Sequence, residues 1–546
     1  MDAAQSASQE DVFRLLADAE THGMDESEGD KVRRIDTHAA AVFLAGDLVF
    51  KVKRAVKYPF LDYSTLDKRK AACLAELEVN CAFAPQLYRR VVPITREASG
   101  ALALDGTGEP VEWAVEMTRF DENKTLDRLA ERGRLSDALT RKLAAVVAAM
   151  HTRAKPVEPN SWIEAVPGFI TENAAAFRKH GDREQGHREW DDRGHRNRDH
   201  DELFPDHLVD LLEQKSLAAF HRLRPLIAAR GAQGLIRRGH GDLHLGNVAT
   251  LGGETVAFDA LEFDPIFASG DLLYDLAFLL MDLVERGLPR AANEVLNGYF
   301  AAARRIEDCD GIAALPFFMS LRAAIRAKVT AARLALAKTE DKDKIARAAK
   351  SYFKLALDLL IPAKPVIVGT GGLSGTGKSV LARALAPLLP PMPGALVFRS
   401  DVERKALFGV AETDRLPPEA YRPEVTDRIY AVLNEKAGRV ARAGHCAIAD
   451  AVFAKPQERA ALETAATAAG ADFHGLFLVA DLPSRLARVG GRDPDASDAD
   501  AAVAQRQEDF AIGDVTWEII DASGAPDETL AQARMEIARM EIARRQ

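Results

Sequence analysis

The chain has 546 residues, with 72 Lys and Arg against 82 Asp and Glu for a formal net charge of −10. At about 100–200 residues per domain this is too long for one hydrophobic core, and roughly three units are expected. The acidic balance gives no general attraction to phosphate backbones or anionic lipid, so nucleic acid is an unlikely partner; 47% hydrophobic residues argue against global disorder. The four cysteines, scattered and without a C-x-x-C spacing, argue against a zinc cluster or disulfide framework and fit a reduced compartment.

In chain order, the first residues lack a basic region followed by an apolar one, and no run of about 18 uncharged apolar residues follows anywhere. A cytoplasmic protein without a membrane partner is expected. Residues 1–35 read as a polar arm with one short amphipathic piece, Val12, Phe13, Leu15 and Leu16, that packs on the body or stays mobile. Ala41-Val-Phe-Leu, Gly46-Asp47 and Leu48-Val-Phe-Lys51-Val-Lys53 predict a hairpin. A helix over 66–83 and strands near Val91, Ala101 and Trp113 complete a small β-rich lobe. Beyond Phe120 the pattern turns helical: 126–132, 139–151, 208–230, 272–286 and a long stretch over 315–360. Residues 178–200, with seven basic, six acidic and four histidine side chains, cannot build a core and read as a charged insertion. Pro362-Ala-Lys-Pro365 closes the helical region, and alternating strands and helices follow. The expected division is an arm over 1–35, a first domain over 36–361, a second over 362–530, and a terminal helix over 531–546 that contains Ala-Arg-Met-Glu-Ile twice.

Gly372-Leu-Ser374-Gly375-Thr376-Gly377-Lys378-Ser379 matches G-x-x-x-x-G-K-[ST] between an apolar strand and a helix. Glycines let the backbone wrap phosphates with its N–H groups inward, and the helix N-terminus adds a favourable dipole. Lys378 is expected to reach the β/γ-phosphates and Ser379 to bind Mg²⁺. Downstream, Arg399-Ser-Asp401-Val-Glu-Arg404-Lys405 follows a strand, where open α/β sheets place their sites. Asp450, ending another strand, suits a water-mediated Mg²⁺ contact, and Arg485, Arg488 and Arg492 are spaced to lower cations over a transferring phosphoryl group. This half resembles the small P-loop kinases, the group of gluconate and shikimate kinases, over about residues 364–525. The resemblance implies Asp401 as the base accepting the acceptor's proton, Arg404 as acceptor-binding, and Arg488 with its neighbours as a nucleotide-binding lid followed by Asp495-Ala-Ser-Asp498.

Upstream, His240-Gly-Asp242-Leu-His244-Leu-Gly-Asn247 carries H-x-D-x-x-x-x-N, and the acidic cluster Asp259, Glu262, Asp264 follows. With a strand lysine before them these are the parts of a kinase catalytic lobe. The motif resembles the aminoglycoside phosphotransferase and choline kinase type over about residues 36–355, with no G-x-G-x-x-G before the lysine. That resemblance implies Asp242 as catalytic base, Asn247 and Asp259 as Mg²⁺ ligands, Asp275 as the carboxylate bracing the loop, and a structural His240. Lys51 is preferred over Lys53 for the nucleotide, with Glu76 as its partner and Glu78 second, and the adenine hinge is placed at Val115-Glu116-Met117. The order of the halves resembles a bacterial group of bifunctional aminoglycoside phosphotransferase and ATP-binding proteins. The expected fold is a bilobal protein-kinase-like α+β domain followed by an α/β P-loop domain with a parallel sheet. The expected cofactors are ATP and Mg²⁺, and the partners are small-molecule hydroxyl acceptors at two sites; alternatively one half catalyses and the other regulates.

Overall fold

The computed structural model describes residues 3–24, 31–37, 39–58, 61–185, 202–262, 264–335, 337–491 and 496–545. They fall into two compact units, one of 1–142, 150–162 and 234–275, the other of 143–149, 163–233 and 276–546.

In the first unit the hairpin forms as expected. Ala40–Ala45 pairs antiparallel with Leu48–Lys53, Val42 opposite Lys51, across a turn in which Gly46 takes φ 55°, the positive value that a two-residue hairpin requires. The sheet has six strands in the order Arg33–Asp36, Ala40–Ala45, Leu48–Lys53, Glu109–Thr118, Tyr88–Arg96, Leu102–Leu104. Period-two alternation gives it two apolar faces. Phe43, Phe50, Val52 and Ile94 pack with Val12, Phe13 and Leu16 of the helix Ala3–Ala17, while Leu44, Val49, Val115 and Met117 pack with Cys73 of the helix Leu66–Cys81. The segment expected to be an arm therefore contributes a core helix and, through Arg33–Asp36, an edge strand.

Two helices went unanticipated, Pro159–Gln185 and Pro289–Ala303. The former carries an internal Pro167 and runs into the charged insertion, both of which mask its apolar stripe; residues 186–200 of that insertion lie outside the described residues. The P-loop part is a five-stranded parallel sheet in the order Leu396–Arg399, Ala447–Asp450, Val366–Gly372, Asp472–Val479, Glu518–Asp521. The repeated pentapeptide lies within a single helix, Pro526–Arg545.

The spatial division does not follow the expected boundary at 361/362, because helices before it share a unit with the P-loop sheet. Leu396–Arg399 is an edge strand, and its open backbone groups are taken by asparagines of the helix Pro289–Ala303. Asn297 Oδ1 accepts the Val397 N–H at 2.7 Å, and Asn293 Nδ2 donates to the Ala395 carbonyl at 3.0 Å. Unpaired strand edges invite such partners. Arg439 adds an ion pair to Asp310.

Gly369 and Gly475 stand opposite each other on adjacent strands, and the Trp517 ring lies across both, so that a Cβ at either would run into the indole. Trp517 Nε1 donates to Glu463 at 2.8 Å, which fixes the ring. Gly475→Val is expected to destabilise this unit by about 1–3 kcal/mol through overpacking, read as a lowered thermal midpoint with altered tryptophan fluorescence; unchanged melting would show that the slot is not rigid.

Candidate active sites

Lys51 and Lys53 share one face of their strand, and both reach one buried carboxylate. Lys51 Nζ lies 2.7 Å from Glu76 Oε1 and 2.7 Å from Asp259 Oδ1. Lys53 Nζ lies 2.7 Å from Glu76 Oε2 and pairs also with Glu262. Glu78, two positions along the helix from Glu76, is turned outward and exposed. Exposure separates the lysines: 3% for the Lys53 side chain and 18% for Lys51. Burial alone would push the Glu76 carboxyl up, but Lys51 and Lys53 more than offset this and hold it at about 2. Burial likewise pulls Lys51 down, and Asp259 and Glu76 overcome it, leaving the ammonium well above its ordinary value.

The catalytic-type loop is held from below. Asp275, in the first turn of the helix Leu272–Glu285, accepts the His240 N–H on Oδ2 and the Gly241 N–H on Oδ1, each at 2.9 Å. His151 Nε2 lies 3.1 Å from Oδ2. Gly239 has to lack a side chain, since a Cβ there would lie 2.7 Å from the same oxygen. Burial lowers the His240 pKa, and the neutral ring places Nε2 2.9 Å from the Phe258 carbonyl, joining the loop to the acidic segment. Asn247 Nδ2 donates to both the carbonyl and Oδ2 of Asp242 at 3.0 Å, so its Oδ1 is the atom suited to a cation. His244 Nδ1 accepts the Gly246 N–H at 3.1 Å. The proton of a neutral His244 must then sit on Nε2, which lies 3.5 Å from Asp242 Oδ2.

Asp259 takes φ 60°, uncommon for a residue with a side chain. Two residues hold it there: its N–H donates to Tyr88 Oη at 3.1 Å, and Asn80 exchanges hydrogen bonds with both backbone groups of Ala260. Strained backbone persists where its surroundings over-determine it, commonly at functional sites. Tyr88, Asn80 and His244 received no role from the sequence. A signal was present for two of them: Asn80 stands four residues after Glu76 and so on the same helix face, and His244 stands inside the motif, two residues after Asp242. The hinge placement also requires correction. Val115, Glu116 and Met117 are paired on both sides, with Leu48–Lys53 and Tyr88–Arg96, so their backbone is committed to the sheet; the strand ends only at Thr118.

In the second unit, Gly372, Gly375 and Gly377 take φ 139°, 87° and 90°, and the helix Lys378–Leu385 begins directly after them with Ser379 in its first turn. Thr376 Oγ1 donates to the Leu373 carbonyl at 2.8 Å. Asp450, 2% exposed, ends the neighbouring strand, and Arg399 Nε lies 3.4 Å from its Oδ2. Asp401 opens the helix Ser400–Phe408. Burial raises its pKa, Lys378 and Arg399 oppose the rise, and Asp450 adds to it. Lys378, Arg399, Asp401 and Asp450 thus form one charge cluster at the C-terminal ends of the parallel strands, where such sheets bind ligands.

The expected binding arginines are differently engaged. Arg404 is 6% exposed; it donates to the Ala420 carbonyl, with its guanidinium 5.0 Å from the Tyr421 ring. Its charge shapes the 418–421 turn instead of standing open to an acceptor. Arg488 donates to the carbonyls of Ala522, Ser523 and Gly524 at 2.7, 3.2 and 2.9 Å. A guanidinium so held has its Nη1 and Nη2 donors engaged by backbone carbonyls and is not a fork directed at phosphate. Arg485 is buried on the P-loop itself; Arg492 and Asp495 lie outside the described residues. Asp498 gathers Lys405 Nζ at 2.7 Å, Tyr421 Oη at 2.7 Å and the Leu416 N–H at 2.9 Å. Among the described residues, no three His, Cys, Asp or Glu side chains cluster as a ready-made metal site, and no helix is long and apolar enough to cross a membrane.

A model described as the phosphotransferase enzyme family matches residues 66–315, and one described as an AAA domain matches 367–511. Uncharacterized proteins of Mycobacterium tuberculosis and Mycobacterium bovis are each 30% identical to this chain over 509 residues, which is 91% of it and 94% of theirs. Among solved structures, a choline/ethanolamine kinase family protein from Mesorhizobium loti is similar over 60% of this chain and 92% of its own, at 14% identity and TM-score 0.34. A gluconokinase from Sinorhizobium meliloti is similar over 33% and 95%, at 19% and 0.24. By the family models and its own topology, the chain joins a phosphotransferase-family domain to a P-loop domain built on a parallel sheet.

Asp275→Asn turns an amide N–H₂ toward at least one backbone donor and is expected to destabilise the first unit by about 1–3 kcal/mol, measured by chemical denaturation of the full chain. Glu76 has a folded pKa below its ordinary value of 4.5, so the stability it contributes is complete above about pH 4.5 and is lost as pH falls through about 2. Glu76→Gln is expected to flatten that acid limb; an unaltered limb would show that the lysines do not depend on this charge.

Proposed function

The chain belongs to the family of these mycobacterial proteins, and from that premise we propose that it is a bifunctional phosphotransferase, using ATP and Mg²⁺ to move a γ-phosphoryl group onto hydroxyls of small molecules at two separate sites. The observation that carries the reading is the Asp242 carboxylate, held on one side by Asn247 and His244, in the same unit as a lysine that bridges Glu76 and Asp259.

At the first site Asp242 accepts the proton of the acceptor hydroxyl as its oxygen attacks the γ-phosphorus and the bond to the ADP oxygen breaks. Lys51 neutralises the nucleotide phosphates, and Glu76 positions it. Asn247 Oδ1 and Asp259 are oxygen donors of the kind Mg²⁺ takes together with substrate phosphates. At the second site the backbone N–H groups of Gly375, Gly377, Lys378 and Ser379 frame the phosphates, with the Lys378 ammonium on them, while Gly372, Ser374 and Thr376 shape the loop through N–H groups bonded to Val452, Gln507 and Leu373. Ser379 and Asp450 serve the cation, and Asp401 is the base; a carboxyl with a raised pKa is the better proton acceptor near neutral pH. Arg488 holds the carbonyls of Ala522, Ser523 and Gly524, and Arg404 shapes the acceptor side through Tyr421.

The test is ADP release by the full chain with Mg²⁺ against pools of small hydroxyl compounds and aminoglycosides, beside Asp242→Asn and Lys378→Ala. Each variant is expected to remove a different fraction of turnover, Asp242→Asn lowering its own fraction about 10²–10⁴-fold without loss of ATP binding there. Turnover removed entirely by one variant would assign regulation to the other half. Full turnover in both would overturn the reading.

A further inference from the structure

The segment after the fourth parallel strand carries an arrangement that phosphotransfer, as described above, does not use. Arg485, 2% exposed, donates from Nε to the Ser374 carbonyl at 2.9 Å and from Nη2 to the Ala504 carbonyl at 3.0 Å, and pairs with Glu508. Gln507, 6% exposed, accepts the Ser374 N–H on Oε1 at 2.6 Å. Because the partner is a backbone donor, the amide oxygen must face it. Both backbone polar groups of one P-loop residue are therefore held by a single stretch of chain, from the helix Leu482–Gly490 to the turn Gln507–Asp509.

The consequence lies in the next peptide group. In a trans peptide the carbonyl and the following N–H point in opposite directions. Holding Ser374 O toward Arg485 turns the Gly375 N–H away from Arg485, and a guanidinium on the carbonyl polarises the peptide and strengthens that N–H as a donor. Gly375 makes the approach possible: a Cβ there would lie 2.6 Å from the Arg485 carbonyl oxygen and 2.9 Å from its Cα.

We propose that Arg485 and Gln507 are positioning residues of the P-loop site, a two-point clamp on Ser374 that presets the Gly375 N–H for the phosphate chain of a nucleoside di- or triphosphate. The proposal rests on the P-loop reading given above. Neither side chain touches the nucleotide; both act through Ser374. A loop already held in its binding conformation loses less freedom when ligand arrives. The benefit is confined to ligands that reach past the α-phosphate, because the P-loop backbone and its lysine cradle the β- and γ-phosphates.

The test is calorimetric titration of the full chain with ADP and with AMP, following the component of ADP binding that Lys378→Ala removes. Gln507→Met, of similar shape but without the acceptor, is expected to weaken that component about tenfold, and Arg485→Lys by more, with AMP affinity unchanged and the melting temperature of Gln507→Met near that of the unaltered chain. If Lys378→Ala removes no ADP binding, the P-loop reading itself fails. If it does, and both clamp variants keep full ADP affinity, the clamp alone fails. Equal weakening of ADP and AMP, or weakening only alongside a large fall in melting temperature, would also overturn it by making the contacts merely structural.

Discussion

The first unit depends on one carboxylate that has no access to solvent. Glu76 is 0% exposed, and its two oxygens each face a lysine, while each lysine holds a second carboxylate from the acidic segment. Isolated buried charges are costly, and even paired ones gain little net stability over apolar residues of similar size. What the cluster provides is geometry. It ties the strand Leu48–Lys53, the helix Leu66–Cys81 and the Asp259–Glu262 segment to one another, so that the groups proposed for nucleotide and cation stand at defined distances. Asn80 and Tyr88 add neutral hydrogen bonds that hold Asp259 in its unusual backbone conformation.

In the second unit the corresponding fasteners are arginines on backbone carbonyls. Arg404, Arg459, Arg485 and Arg488 each donate to main-chain oxygens of segments that have no regular ladder to join. The guanidinium suits this use because its five N–H groups are fixed in a planar fork and can bridge several carbonyls at once. Glycines are the counterpart. Gly369 and Gly475 admit the Trp517 ring, and Gly375 admits the backbone of Arg485, so the P-loop rests on elements around it as well as on its own turn. The edge asparagines follow the same logic, since Asn297 and Asn293 complete a strand edge with side-chain amides where no further strand is available.

Much of this was legible beforehand. Alternation of apolar residues gave the hairpin and the two lysines on one face, and an unbroken apolar run gave the core strand before the P-loop, because both patterns are local properties of the chain. The H-x-D-x-x-x-x-N spacing placed Asp242 and Asn247 together because five residues of tight loop leave them few alternatives. Partners distant in sequence were less accessible. Arg488 and Arg404 stood at plausible helical spacings, yet spacing says only which face a side chain occupies, not which carbonyls from residues 16 or 34 positions away will reach it first. The hinge was misplaced for a similar reason: a run such as Val115–Met117 reads as strand either way, and only the presence of neighbours on both edges shows that its backbone is spent.

By itself the sequence determined the classes of element, the two phosphate-type motifs and the acidic and basic groups able to do chemistry, since these depend on residue type and on contacts within a few positions. Tertiary structure alone decided that residues before Asp36 belong to the sheet and its core, that helices before 361 share a unit with the P-loop sheet, and that Arg485 and Gln507 grip Ser374. The first needs the helix Ala3–Ala17 to meet strands as far along the chain as Ile94, and the other two join groups 100 or more residues apart. Which of these surfaces meet is settled when the cores close, and local pattern carries no record of that.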